Sequence, residues 1–214
     1  MKRRNKHRHI SSNEAFRALY IDFEGFMEES PSLMGIACEY EFEQVVLDES
    51  LRGAADAKRL RLTTVQQVGR ELEARAARED RLIIGYSQHE LQLLMTYGAI
   101  DIGARYRDAR MTGRRWINRL HRGEVPSWSL LDLLQYMGYE APTVLANGLV
   151  TKRLAAVRRG LQVQGGCYSA LTPVQKAKWT KLLRYNRVDC LGMRDLVMRA
   201  AAELAIQANG ASAR

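Results

Sequence analysis

Short apolar runs in the first half of the chain predict a small β-sheet. The segments with the length and composition of buried strands are 18–22, 33–38, 43–47 and 81–85. We expect the second and third strands to form a hairpin around residues 39–42. Thr64 then opens a possible capping box, and apolar residues at helical spacing follow it as far as residue 76. Because this helix leads directly into the fourth strand, we expect that strand to lie parallel to the first, through a right-handed crossover.

Beyond residue 87 the apolar positions follow the spacing of helices. Helices are predicted at 88–97, 104–120, 129–137, 149–158, 173–184 and 187–207. This order predicts an α/β fold, in which a mixed β-sheet is flanked by helices, over a single domain at residues 16–208. Residues 101–180 would form a mainly helical lobe beside the sheet. The basic segment 1–15 is expected to be a flexible tail.

Composition and motifs argue against several classes of protein, namely membrane-spanning, secreted and nucleotide-binding proteins. With 214 residues, of which 46% are hydrophobic, the chain can bury the core of one domain. No apolar stretch approaches the roughly 18 residues of a membrane span, and no apolar segment follows the basic N-terminus as in a secretory signal. The three cysteines form no CxxC pair, which is typical of a reducing compartment, so a cytoplasmic location is expected. No GxGxxG or GxxxxGK[ST] motif occurs, which argues against NAD and P-loop nucleotide binding.

An excess of positive charge points to a polyanionic partner. The chain has 33 Lys and Arg against 24 Asp and Glu, a formal net charge of +9. No acidic residue lies within 152–187, and arginines recur within 105–122. A solvated helix surface is the alternative, although ordinary surfaces intersperse both signs. The residues that we predict to contact DNA or RNA are Arg105, Arg107, Arg110, Arg114, Arg115, Lys152, Arg153 and Arg184.

Three tryptophans are further candidates for contact with nucleic acid, because an aromatic side chain can stack on a base. Packing on a helix face is the favoured role for each of them: Trp116, Trp128 and Trp179.

Two carboxylates occur at the end of the first predicted strand. Asp22 and Glu24 are two residues apart, so both side chains project from the same face of that strand. Like charges at this distance repel each other and cost stability unless a cation neutralises them. Metal binding is therefore one interpretation. The alternative is a strand end that passes into a solvated loop, with Glu24 hydrogen-bonded locally.

Further acidic residues follow at positions that the predicted topology brings near Asp22. Glu90 lies just past the strand at 81–85, where it is also a typical first-turn residue of a helix. Asp189 and Tyr185 are four residues apart and share one face of a helix. Asp189 could instead be the N-cap of the last helix. Mg²⁺ prefers such oxygen ligands, and two divalent ions can hold the attacking and leaving oxygens of a phosphodiester.

The order of these motifs resembles a known family. Asp22-x-Glu24, Tyr86-Ser-x-His-Glu90 and Tyr185-Asn-x-x-Asp189 together resemble the DEDD exonuclease branch of the ribonuclease H-like superfamily. The third motif resembles the tyrosine-type subgroup, YNxxD, and is similar to predicted RecB-family nucleases. Pro31-Ser-Leu-x-Gly35 looks like the second strand of the family, and Trp128-Ser-Leu with Gly138-Tyr139 resembles the segment before the last motif. The resemblance covers roughly residues 17–200.

The resemblance implies a ribonuclease H-like fold and a 3′–5′ exonuclease that uses two Mg²⁺ or Mn²⁺ ions. Its substrate would be DNA or RNA with a single-stranded 3′ end. The implied metal ligands are Asp22, Glu24, Glu90 and Asp189. Glu90 stands where the commoner exonucleases have Asp. Tyr185 would orient the attacking water, and Asn186 would support the site rather than react.

Other functions remain open at this point. The chain could be a weak or inactive nuclease-fold module that binds nucleic acid together with a partner protein. It could also recruit a helicase or a defence protein as an accessory subunit. A role at a membrane surface is the least favoured, since no amphipathic anchor helix accompanies the basic segments.

Overall fold

The computed structural model describes residues 9–121, 127–139 and 149–212. A mixed sheet of six strands runs through this part of the chain in the order β4-β3-β2-β1-β5-β6. The strands are β1 Leu19–Glu24, β2 Leu33–Ala37, β3 Phe42–Val46, β4 Arg61–Leu62, β5 Ile83–Gly85 and β6 Tyr106–Asp108. The first three strands pair antiparallel, whereas β5 lies parallel to β1 and to β6. The expected α/β fold, the hairpin and the parallel β5 are therefore confirmed.

Helices cover both faces of this sheet. The α-helices of the described residues are α1 Ser12–Arg17, α2 Arg52–Ala57, α3 Val65–Arg78, α4 Gln88–Gly98, α5 Ala109–Trp116, α6 Leu130–Tyr136, α7 Val150–Val163 and α8 Pro173–Ser212. A π-helical segment, Ile117–His121, continues α5, and short 3-10 turns occupy Glu49–Leu51 and Tyr168–Ala170. No helix in these ranges is long and apolar enough to cross a membrane.

The central strand β1 alternates between the two faces. Leu19 and Ile21 pack with residues of α3 and α4, whereas Tyr20 packs with residues of α1, α5 and α8. Side chains two residues apart in a strand share a face. Asp22 and Glu24 therefore point to the same side as Tyr20, which is the side that α8 covers.

Two expectations about the helices are wrong. The first part of the helix predicted at 104–120 is instead the strand β6, because Tyr106 and Asp108 pair with β5 and extend the sheet. The two helices predicted at 173–184 and 187–207 are one continuous helix, α8. Asn186 is the polar residue at the predicted boundary between the two helices. Its side chain forms hydrogen bonds with residues outside α8, so the helix continues through this position.

The flexible tail predicted for residues 1–15 is too long, because a helix begins within it. Ser11 and Glu14 form a capping box that starts α1, and Ala15 and Ile10 are buried against α8 and the sheet. The basic residues 1–8 lie outside the described residues. The short strand β4 was not predicted, because two residues carry no recognisable pattern.

Candidate metal centre

Three of the predicted carboxylates meet on one side of β1. One oxygen atom each of Asp22, Glu24 and Asp189 lies within 4.8 Å of the other two. Glu24 is buried, with 7% of its surface exposed, whereas Asp22 and Asp189 are partly exposed. The three carboxylates could therefore hold a metal ion. Asp189 lies in the interior of α8, so the alternative that it caps the last helix is wrong.

The interior of α8 is fixed against the sheet by Asn186. Its side-chain amide nitrogen donates hydrogen bonds to the Asp22 carboxylate (2.9 Å) and to the Asp22 carbonyl (3.2 Å). Its amide oxygen accepts a hydrogen bond from Gln44 on β3 (2.9 Å), and Gln44 also donates to the carbonyl of Leu183 (2.9 Å). Asn186 is completely buried. Asn186 therefore holds the side chain and the backbone carbonyl of Asp22.

Gly35 on β2 allows α8 to approach this closely. Gly35 is the partner of Asp22 in the antiparallel pair of β1 and β2. A Cβ atom at this position would lie 2.4 Å from the Asn186 amide oxygen and 2.7 Å from the Cys190 sulfur. No side chain fits in that space, so glycine is required beside the carboxylates.

The electrostatics of the cluster are unfavourable for three ionised carboxylates. Burial, followed by the neighbouring charges of Glu24 and Asp189, raises the pKa of Asp22 well above its ordinary value. Burial and the charge of Asp189 do the same for the pKa of Glu24. Burial raises the pKa of Asp189 from 3.8 to about 7. The Asn186 hydrogen bond to Asp22 opposes this trend only in part.

One oxygen of Glu24 has no hydrogen-bond partner among the residues that the structure describes. Its Oε1 atom is buried and accepts no hydrogen bond from any described residue. An unsatisfied buried carboxylate oxygen is costly, and breaking even one buried ion pair typically costs several kcal/mol. The three carboxylates form no ion pair with a basic side chain of the described residues. Three carboxylate ligands suit a hard divalent metal ion, which prefers oxygen atoms.

Glu90 lies near this group but does not join it. It occupies the N3 position of α4, where its carboxylate accepts a hydrogen bond from the Ser87 backbone (3.0 Å) and from the Tyr106 hydroxyl (3.2 Å). Burial raises its pKa. Its charge in turn helps to raise the pKa of Asp22. The interpretation of Glu90 as a helix N-terminal residue is therefore confirmed, and Glu90 also faces the same cavity as Asp22.

Tyr185 completes the polar side of the cavity. Burial and the charges of Asp189, Glu24 and Asp22 raise its pKa far above the ordinary value for a phenol. The hydroxyl therefore stays protonated and can donate. It is a hydrogen-bonding partner of Asp189, and this hydrogen bond lowers the pKa of that carboxylate.

A cavity of about 260 Å³ is lined by two carboxylates of the cluster, Asp22 and Asp189, whereas Glu24 lies behind its lining residues. Its polar lining includes Asp22, Glu90, Tyr185 and Asp189, and leucines of α6 form an apolar part of its wall. The remaining lining residues are Tyr86, Ser129, Leu130, Leu131, Leu134 and Val188. A cavity with a few convergent polar groups and an apolar wall is a typical ligand site. The contribution of α6 was not predicted, because an apolar helix face carries no signal for the cavity it adjoins.

The basic residues predicted to bind nucleic acid are spread over several elements. Arg105 forms an ion pair with Asp80 (2.8 Å), and Arg153 is buried with 8% of its surface exposed. Arg107 and Arg115 line a separate, smaller cavity beside His9. The exposed members on α7 and α8 are Lys152 and Arg184. Arg110 and Arg114 lie on α5 and contact residues at the wall of the acidic cavity.

Comparisons of this chain with known protein families, with curated proteins and with solved structures found no match.

Proposed function

We propose that the protein is a divalent-metal-dependent nuclease with a ribonuclease H-like fold. The observation that carries the proposal is the buried, unpartnered Oε1 atom of Glu24, which lies beside the carboxylates of Asp22 and Asp189. Three converging carboxylates without a basic partner in the described chain are expensive unless a cation binds them. Mg²⁺ and Mn²⁺ suit these oxygen ligands.

The metal ligands in this proposal are Asp22, Glu24 and Asp189, with Glu90 in the wall of the same cavity. Divalent ions at such a site neutralise charge on a phosphate and make water a better nucleophile at neutral pH. The resemblance to tyrosine-type DEDD exonucleases supports two ions and the removal of nucleotides from a single-stranded 3′ end. The net charge of +9 supports a polyanionic substrate.

The protein side chains have distinct roles in this reaction. Tyr185 remains protonated, so its hydroxyl can hold the attacking water in line with the phosphate. Asn186 keeps Asp22 in one orientation through its 2.9 Å hydrogen bond. The apolar wall from α6 limits access of bulk water, which strengthens each electrostatic interaction inside the cavity.

End-labelled single-stranded and double-stranded DNA and RNA, incubated with Mg²⁺, Mn²⁺ or EDTA, test this proposal. We expect metal-dependent cleavage that EDTA abolishes and that Asp189→Asn reduces by at least about 100-fold. The matched control is Asp56→Asn, which removes an exposed acid on α2 and should cleave like the wild type. A ladder that shortens from the 3′ end would establish the polarity.

Equal cleavage by Asp189→Asn and the wild type would contradict the proposal. Salt-sensitive binding without any cleavage would instead favour the inactive nuclease-fold module that acts with a partner.

A further inference from the structure

The three tryptophans differ in exposure. Trp116 and Trp179 are completely buried, with 0% of their surface exposed, so packing is their role. Trp128 is partly exposed. It is therefore the tryptophan that remains available to contact a ligand.

Trp128 lies at the edge of the acidic cavity. Its carbonyl accepts a hydrogen bond from the hydroxyl of Tyr86, which lines that cavity. The two residues that follow it, Ser129 and Leu130, line the cavity as well. A molecule that extends out of the cavity past Tyr86 would therefore pass Trp128.

Two arginines of α5 stand beside this edge. The guanidinium carbon of Arg114 lies 5.1 Å from the centre of the Trp128 ring. Arg110 is one turn earlier on the same helix face, and its backbone N–H donates to the carbonyl of Tyr86 (3.0 Å). The charge of Arg110 also acts on the hydroxyl of Tyr86, whose pKa it lowers against the larger opposing effect of burial.

Neither guanidinium has an acidic partner in the described part of the chain. The Nε atom of Arg110 is buried and donates no hydrogen bond to a described residue. Other arginines of this protein do find carboxylates, since Arg105 pairs with Asp80 and Arg158 pairs with Glu29. A buried donor without an acceptor is costly, so an anionic ligand would satisfy Arg110, and the exposed Arg114 guanidinium is accessible to the same ligand.

We propose that Arg110, Arg114 and Trp128 bind the single strand of nucleic acid that leads into the acidic cavity. Phosphate oxygens match the fork of an arginine, and a base can stack on the exposed part of Trp128. Cations placed outside the carboxylate cluster attract the strand without neutralising the metal ligands. This inference rests on the proposed function, because it assumes that the cavity takes nucleic acid.

Binding without turnover tests the inference. Fluorescence anisotropy of labelled fifteen-nucleotide dT and rU strands, with the full chain in EDTA and again in Ca²⁺, gives Kd and its dependence on salt. We expect Trp128→Ala to weaken binding by about 5- to 150-fold, equivalent to ~1–3 kcal/mol of base stacking. We expect Arg114→Gln and Arg110→Gln each to weaken binding and to reduce the slope of log K against log salt by about 0.7.

The matched control is Arg70→Gln, which removes an exposed arginine from α3 on the opposite side of the sheet. It should bind like the wild type. Because Arg114 is exposed, Arg114→Gln should keep the wild-type melting temperature and so report binding alone. Trp128→Phe keeps an aromatic ring and should retain much of the affinity lost in Trp128→Ala.

The inference is overturned if these variants bind with the wild-type Kd and salt slope, if Arg70→Gln loses as much affinity as they do, or if no strand binds. Metal-dependent cleavage that persists in variants with wild-type binding would refute the inference and leave the proposed function standing. Strand binding that depends on Arg110, Arg114 and Trp128, without any metal-dependent cleavage, would refute the proposed function instead.

Discussion

Asp189→Asn should stabilise the metal-free protein above neutral pH. Burial raises the pKa of Asp189 from 3.8 to about 7 in the folded state. The unfolded chain therefore releases this proton at lower pH than the folded chain, and ionisation favours unfolding. The cost begins near the unfolded value of 3.8, grows as the pH rises and is complete above about 7. At ~1.36 kcal/mol for each pKa unit, it reaches roughly 4 kcal/mol for this carboxylate.

Groups next to Asp189 also affect how the free energy of unfolding depends on pH. The pKa values of Asp22 and Glu24 on β1 are also raised, in part by the charge of Asp189, so they steepen the loss of stability with pH more in the wild type than in the variant. The hydrogen bond from Tyr185 stabilises the Asp189 carboxylate and is already part of its pKa. The amide oxygen introduced by Asp189→Asn can still accept this hydrogen bond, although a neutral acceptor binds the hydroxyl less strongly than a carboxylate.

Urea denaturation in EDTA between pH 5 and pH 8 measures the effect. We expect the free energy of unfolding of the wild type to fall by roughly 2–3 kcal/mol more over this interval than that of Asp189→Asn. Asp56→Asn, an exposed acid, should follow the wild type. Mn²⁺ at pH 8 should restore stability to the wild type and much less to Asp189→Asn. The same pH dependence in both proteins would refute the argument that the fold penalises the charge of Asp189.

Three further substitutions test the packing and chemistry of the site. Gly35→Ala should destabilise the protein by roughly 1–3 kcal/mol or more in urea denaturation, because its Cβ would meet the Asn186 oxygen at 2.4 Å; unchanged stability would show that α8 can move away. Asn186→Ala should lower Mn²⁺ affinity by roughly 10–100-fold in calorimetry, since it leaves Asp22 and Gln44 without their shared partner; wild-type affinity would remove its positioning role. Tyr185→Phe should retain Mn²⁺ binding but slow single-turnover cleavage by roughly 100-fold, and an equal loss of both would make the hydroxyl a structural group.

The sequence predicts those parts of the site that depend on local periodicity. Asp22 and Glu24 share a face because a strand repeats every second residue, and Asp189 shares a face with Tyr185 because a helix brings residues four apart together. The parallel pairing of β5 with β1 followed from the helix between them. These inferences needed no knowledge of contacts between distant segments.

The features of the site that the sequence does not predict depend on contacts between residues that are distant in sequence. Gln44 meets Asn186 across 142 positions of sequence, and no local pattern indicates that pair. Glu90 has both a local role, as part of a capping box, and a place in the cavity wall, so its type alone could not decide between them. The strand β6 has too few residues to be distinguished from the helix that follows it. Likewise, the basic residues at 105–115 are adjacent in sequence but divide in space between an ion pair with Asp80, the cavity beside His9 and the edge of the acidic cavity.

Titration calorimetry with Mn²⁺ on Glu24→Gln shows whether the carboxylate cluster is a metal centre, because Glu24 carries the unpartnered buried oxygen. The control is Glu73→Gln, which removes an exposed carboxylate from α3. We expect the wild type and Glu73→Gln to bind Mn²⁺ alike, while Glu24→Gln loses at least about 10-fold in affinity. Equal affinity in all three proteins, or no binding by the wild type, would contradict the assignment of this cluster as a metal centre.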